Sequence, residues 1–320
     1  MKANSFRMMF VVFLCAVAAI FSAASSCKKQ DTAPKDPVPV QENHQKKQAP
    51  LPDKVLSKSN LGWPIVDEIV DKRELYFSVV GLQKYPGAEF YNEEYFRSLK
   101  KRKETILTWS KENKPVIVFV GQIHISSTGE TVTEEKYERI QMVQDWSFDK
   151  VKEQSDATVI TFEDSGSDER VTVDTMVYNL RRETQIMAKQ YPQLLNLTDK
   201  DFEQIVLNDQ QASVRLVREK NSPPIYFGEE WPNRMELRVL MNLNSMLTED
   251  NKEITKDFVF NFNRLRSEII LIRTLEFLKK LNGHKGVILQ GYMHGQDIKG
   301  FEDEYGVKVE LVMPKVAPAP

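Results

Sequence analysis

The chain is 320 residues long, 41% apolar and 28% charged, with a formal net charge of −2. This is the composition of an ordinary globular protein with enough apolar residues for one large core. The near-neutral balance gives no electrostatic ground for nucleic acid or an anionic membrane surface as its partner.

The first 26 residues have the layout of a secretory signal peptide: basic Lys2 and Arg7, an apolar stretch from Met8 to Phe21, then small residues Ser22 to Ser26. They lead into Cys27 through AlaSerSerCys, the pattern of a bacterial lipobox with Ala24 where Leu is usual. On that reading Cys27 becomes the lipidated first residue of an envelope protein, and Lys28 after it fits the outer membrane of a two-membrane bacterium. The alternative is a secreted protein with a stray cysteine near its cleavage site. The only other cysteine, Cys15, lies in the removed segment, so the processed chain would have no internal disulfide and no thiolate for a metal. No later apolar run has the length to span a bilayer.

Residues 27–55 are rich in Pro, Lys, Gln and Asp and read as a tether that buries no core; His44 lies in it. The folded domain is expected over residues 56–316. Leu75–Val80 reads as a strand, and Asn92–Ser110 as a helix with Asn92 as N-cap and Glu93 and Glu94 in its first turn. Val116–Val120 is an unbroken β-branched and aromatic run, a strand buried on both faces. Gly121 is expected to close it, with His124 three residues on.

Glu134–Gln154 reads as a helix and Ala157–Phe162 as a second buried strand, ending in Glu163 and Asp164. Helices follow over Val171–Gln190 and Asp201–Glu219, the second opened by Thr198 and Asp201 in a capping-box pattern. Ile225–Phe227 is a short strand running into Gly228, Glu229 and Glu230. Glu236–Leu247 and Lys256–Leu281 are helical, Val287–Gln290 is a strand ending in Gly291 with His294 beyond, and a short helix leads to a last strand, Val307–Val312. This alternation predicts an α/β domain with a mostly parallel central sheet flanked by helices. The block at about 165–222 is long for one crossover and is expected to form a helical insertion or lid.

Four strand ends therefore carry polar groups: Gln122 and His124, Glu163 and Asp164, Glu229 and Glu230, Tyr292 and His294. In open α/β sheets such positions line the ligand crevice. Two imidazoles and a carboxylate are a ligand set for a divalent metal that leaves positions for water and substrate. Taken singly, each signal has a plainer reading. A histidine after a strand is more often a hydrogen-bonded loop residue, a strand-end glycine is turn chemistry, and an acidic pair is a helix cap. The repetition carries the weight: of four histidines, His124 and His294 share one strand-Gly-x-x-His frame, while His44 lies in the tether and His284 in a turn.

At these motifs the sequence resembles the TraB/TIKI superfamily (GumN-like proteins included), which is distantly related to the ChaN and erythromycin esterase families. Gly121-Gln122-Ile123-His124, Glu163, and Gly291-Tyr292-Met293-His294 look like its paired GxxH motifs and intervening glutamate. Arg264, Arg266 and Arg273 lie in the helix before the second motif, where the family carries an arginine; Arg266 matches by spacing. Gln122 stands where many relatives have Glu or Thr, and SGSDE after Glu163 departs from the family pattern.

The resemblance implies a site of His124, His294 and Glu163 holding a divalent metal, with Mn, Co and Zn not separable. With the strand-end reading, the expectation is Glu163, Arg266 and Glu229 in catalysis, and Gln122 and Tyr292 near a peptide or small-molecule substrate. TIKI members are metal-dependent proteases, which makes the expectation a lipid-anchored hydrolase. ChaN members bind haem or iron, which makes the alternative a non-catalytic haem- or metal-binding lipoprotein.

Overall fold

Among the described residues, five strands form a single sheet in the order β3-β2-β4-β1-β5, every neighbouring pair parallel. The structure is a computed structural model that describes residues 93–123, 134–188, 197–208, 212–230 and 249–315. Cys27, the signal and tether segments, the expected strand Leu75–Val80, His124 and the expected helix Glu236–Leu247 lie outside those residues. In chain order the elements are α1 (Glu93–Asn113), β1 (Val116–Gln122), α2 (Glu134–Lys152), β2 (Val159–Ser165), α3 (Val173–Ala188), α4 (Asp199–Asn208) and α5 (Ala212–Arg218). Then come β3 (Ile225–Glu229), α6 (Glu249–Lys280), β4 (Lys285–Gly291), a single 3-10 turn (Tyr292–His294), α7 (Gly295–Gly300), α8 (Glu302–Tyr305) and β5 (Lys308–Val312). The α/β class expected from the alternation is the one observed. Among the described residues no helix is long and apolar enough to cross a membrane.

Alternation along the strands divides the core into two layers. Val118, Val120, Ile160, Phe162, Phe227, Val287 and Leu289 pack with Phe148 and Val151 of α2, Met176 of α3, and Ala212, Val214 and Leu216 of α5. The other face carries α6 and α7. Thr161 Oγ1 lies 2.6 Å from Thr274 Oγ1, Tyr226 stacks on Phe277 at 4.0 Å, and Phe119 lies against Gly295. Every residue from Arg264 to Leu275 is buried, so the middle of α6 is core on all sides. Its charged groups are paired inside the protein, as burial requires. Lys103 Nζ meets Glu268 Oε1 at 2.5 Å, and Tyr305 donates to the same oxygen at 2.8 Å.

The boundaries differ from expectation in instructive places. Gly121 and Gly228 do not end their strands. Gly121 pairs with Gln290 in the ladder, and a Cβ on it would lie 3.1 Å from Met313 and 3.2 Å from Tyr292. A Cβ on Gly228 would lie 2.2 Å from Ile270 and 2.7 Å from the Phe162 carbonyl oxygen. Both glycines make room for a neighbour rather than a turn. The helix expected over Asp201–Glu219 is two, α4 and α5, with 209–211 outside the described residues. A second start is possible because Gln144 Oε1, reaching from α2, accepts from the Ala212 amide at 2.8 Å. The capping box holds: the Thr198 amide donates to Asp201 Oδ2 at 2.7 Å and the Asp201 amide to Thr198 Oγ1 at 3.3 Å.

The candidate site at the carboxyl ends of the strands

The sheet order brings the polar strand ends together. β2 and β4 are neighbours, and the chain leaves β2 toward the α2/α3 layer but leaves β4 toward the α6/α7 layer. Connections departing to opposite faces open a crevice between two strand ends, where open α/β sheets hold ligands. Glu163 sits on one lip. The register of β2 against β3 places Phe162 opposite Phe227 but Ser165 opposite Glu229, so β2 carries one extra residue at Glu163–Asp164. Such a bulge re-aims side chains near sites. Here Glu163 Oε2 accepts the Gly291 amide at 2.7 Å, tying the end of β2 to the end of β4.

Arg266 of α6 gathers the carboxylates. Its Nη2 donates to Glu163 Oε1 at 2.9 Å and to Glu229 Oε1 at 2.5 Å, and its Nε donates to Glu229 Oε2 at 2.8 Å. The Arg266 side chain is 6% exposed, Glu229 2% and Glu163 15%. Burial alone would ease deprotonation of Arg266, but Glu229 and Glu163 outweigh it and hold the guanidinium above its usual pKa. Among the described residues, Arg266 is thus shared by two carboxylates.

Of the three arginines on this helix, Arg266 is thus the one that faces the site. Arg273 donates to the Phe227 carbonyl at 3.1 Å and pairs with Glu230 and Asp168. Arg264 lies 5.5 Å over the Phe301 ring.

His294 ends the 3-10 turn directly after β4 and is buried. Its Nε2 lies 4.0 Å from Glu163 Oε1, and its Nδ1 lies 2.7 Å from Ser267 Oγ. Ser267 Oγ also lies 3.2 Å from Asp297 Oδ2. Burial pushes the Asp297 carboxyl upward, against the pull of Ser267 and Arg264.

Ser267 and Asp297 were not picked out by sequence reasoning. A signal existed: Asp297 follows His294 by three residues at a helix start, and Ser267 follows Arg266 directly. Gln122 is fully buried as the last residue of β1, paired in register with Gly291, and its Oε1 has no partner among the described residues. Tyr292 is half-buried. Gln290, also unremarked in the sequence, is fully buried, and neither of its amide atoms has a partner among the described residues. The structure therefore brings together Glu163, Glu229, Arg266 and His294. His284 is exposed, and only its backbone carbonyl is used, accepting from the Val116 amide at 2.8 Å.

Among the described residues no group of three His, Cys, Asp or Glu is placed to hold a metal ion. His124 follows the last described residue of its segment, Ile123, and is not among them. No family model, curated protein or solved structure matches the chain.

Proposed function

We propose that the chain is a lipid-anchored protein of the bacterial cell envelope, of the TraB/TIKI kind, and that its strand-end site is a metal-dependent hydrolase centre with peptidase-like chemistry. The observation that carries this reading is the 4.0 Å approach of His294 Nε2 to Glu163 Oε1 across the crevice between β4 and β2. Donor atoms that share a first-row metal lie about 2.0–2.2 Å from it, hence within roughly 3–4 Å of one another. The pair meets that spacing.

The residues fit the group. His294 and Glu163 would hold the metal together with His124, two residues past the end of β1 in the sequence. A divalent ion there would polarise a carbonyl and make a bound water acidic enough to act as hydroxide near neutral pH. The chain's own part is orientation. Arg266 and the Gly291 amide hold the two oxygens of Glu163, and Glu229, engaging Arg266 through both oxygens, keeps the guanidinium in place. Tyr292, half-buried just past the end of β4, would meet a peptide or small-molecule substrate, whereas Gln122 is fully buried at the end of β1.

The test uses the full-length protein and its His124→Ala and His294→Ala forms. Elemental analysis is expected to find about one zinc, manganese or cobalt per chain, lost in both variants, with metal-dependent cleavage of unstructured peptides or a short aryl ester lost alongside. Wild-type protein that takes up none of the three ions overturns the reading. A Soret band with added hemin, abolished in either variant and unaccompanied by hydrolysis, would replace it with the haem-binding one.

A further inference from the structure

Ser267 Oγ is the junction of three contacts: the Asn263 carbonyl at 3.0 Å, Asp297 Oδ2 at 3.2 Å and His294 Nδ1 at 2.7 Å. A hydroxyl has one proton to give and lone pairs to receive with. A carbonyl oxygen only accepts, and so does an ionised carboxylate. Of the three neighbours, the imidazole is the one that can donate. If Ser267 gave its proton to His294 instead, its oxygen would face two acceptors with nothing to offer them, in a place where Ser267 is fully buried and unmade hydrogen bonds are costly.

We infer that Ser267 and Asp297 are positioning residues for His294: Nδ1–H donates to Ser267 Oγ, the Ser267 hydroxyl is drawn to the Asp297 carboxylate and the Asn263 carbonyl, and the ring is held with Nε2 toward Glu163.

The three groups come from the middle of α6, the turn after β4 and the first turn of α7. The chain that sets the imidazole is therefore built by the packing of α7 on α6. A histidine whose far nitrogen is held in this way has its ring fixed in direction, the arrangement that orients metal-ligating imidazoles. The usefulness of that orientation rests on the proposed hydrolase reading; the proton on Nδ1 does not.

The test is long-range 1H–15N NMR of 15N-histidine-labelled full-length protein, stripped of metal with a chelator, at pH 8, with His294 assigned by its loss in His294→Gln. The expected spectrum has a protonated Nδ1. Ser267→Ala should move His294 toward the Nε2–H form that a free imidazole prefers, and Asp297→Asn should move it part of the way. An unprotonated Nδ1 in the wild type overturns the inference. So does an unchanged tautomer in Ser267→Ala that keeps its near-ultraviolet circular dichroism. If Ser267→Ala does not fold, Asp297→Asn decides in the same way.

Zinc titration is the second readout. Zinc affinity should fall about 10–100-fold in Ser267→Ala, and equal affinity there overturns the positioning role. Wild type that binds no zinc bears on the proposed function, leaving the tautomer result to stand or fall by itself.

Discussion

Replacing Arg266 by methionine should be among the most damaging single changes available to this fold. The guanidinium makes three hydrogen bonds, at 2.5, 2.8 and 2.9 Å, to two carboxylates. Methionine fills much of the volume but leaves Glu163 and Glu229 without their counter-charge. Glu163 keeps the Gly291 amide, so the greater loss falls on Glu229, whose side chain is only 2% exposed. Removing one partner of a buried ion pair costs about 3–5 kcal/mol. At roughly 2–4 °C per kcal/mol for a domain of this size, Tm should fall by about 6–20 °C.

Glu229→Gln alone keeps a hydrogen-bonding side chain and should cost about 1.5–3 kcal/mol, the worth of a hydrogen bond to a charged group. In the double variant the stranded charge is gone, so its loss should be smaller than the sum of the singles by about 1–3 kcal/mol. Urea denaturation of the four proteins, compared at constant m-value, measures this cycle. A loss below about 1 kcal/mol in Arg266→Met, the range of solvent-exposed pairs, would refute the reasoning, and so would strict additivity.

Gly228→Ala should cost about 1–3 kcal/mol, at the upper end, because the new methyl would stand 2.2 Å from Ile270 and 2.7 Å from a backbone oxygen that cannot yield; an unchanged urea midpoint would show that α6 is not seated on β3 as described. A pH dependence is expected at Glu230. Burial raises its pKa, but Arg102, Arg273 and the Tyr95 hydroxyl outweigh that and hold it below its ordinary value of 4.5. With the folded value depressed, its contribution is present above the unfolded value and is lost as pH falls through the folded one. Glu230→Gln should therefore lower Tm near pH 7 by the equivalent of about 1.5–3 kcal/mol, and the gap to wild type should begin to narrow as pH falls below about 4.5. A gap as wide at about pH 3 as at about pH 7 in melts by circular dichroism would count against the pairing.

The α/β class was legible in the sequence because it depends on local signals. Val116–Val120, Ala157–Phe162 and Val287–Gln290 are apolar runs too short for helices and unbroken enough to be buried on both faces. The segments between them carry helical spacing, and Thr198 with Asp201 marks a helix start through contacts within one turn. Because strands alternate with helices, the polar residues that follow each strand had to fall on one edge of the sheet, which is how Glu163, Glu229 and His294 could be selected together.

Tertiary structure alone decided which strands are neighbours. The pairing of β2 with β4, separated by more than a hundred residues, depends on how α6 and α7 pack, and no local period encodes it. It also decided the meaning of the glycines: Gly121 and Gly228 read as turns but are spaces for Met313 and Ile270. It placed Arg266, the arginine that the resemblance matched by spacing, against Glu163 and Glu229, and gave Arg264 and Arg273 other partners, all three within the buried middle of α6. Periodicity reports which face of a helix is apolar, and α6 between Arg264 and Leu275 has no solvent face to contrast with it. The partners of its charges, and the linking of Ser267 and Asp297 to His294, are set by contacts between elements distant in sequence, and only the folded chain supplies those.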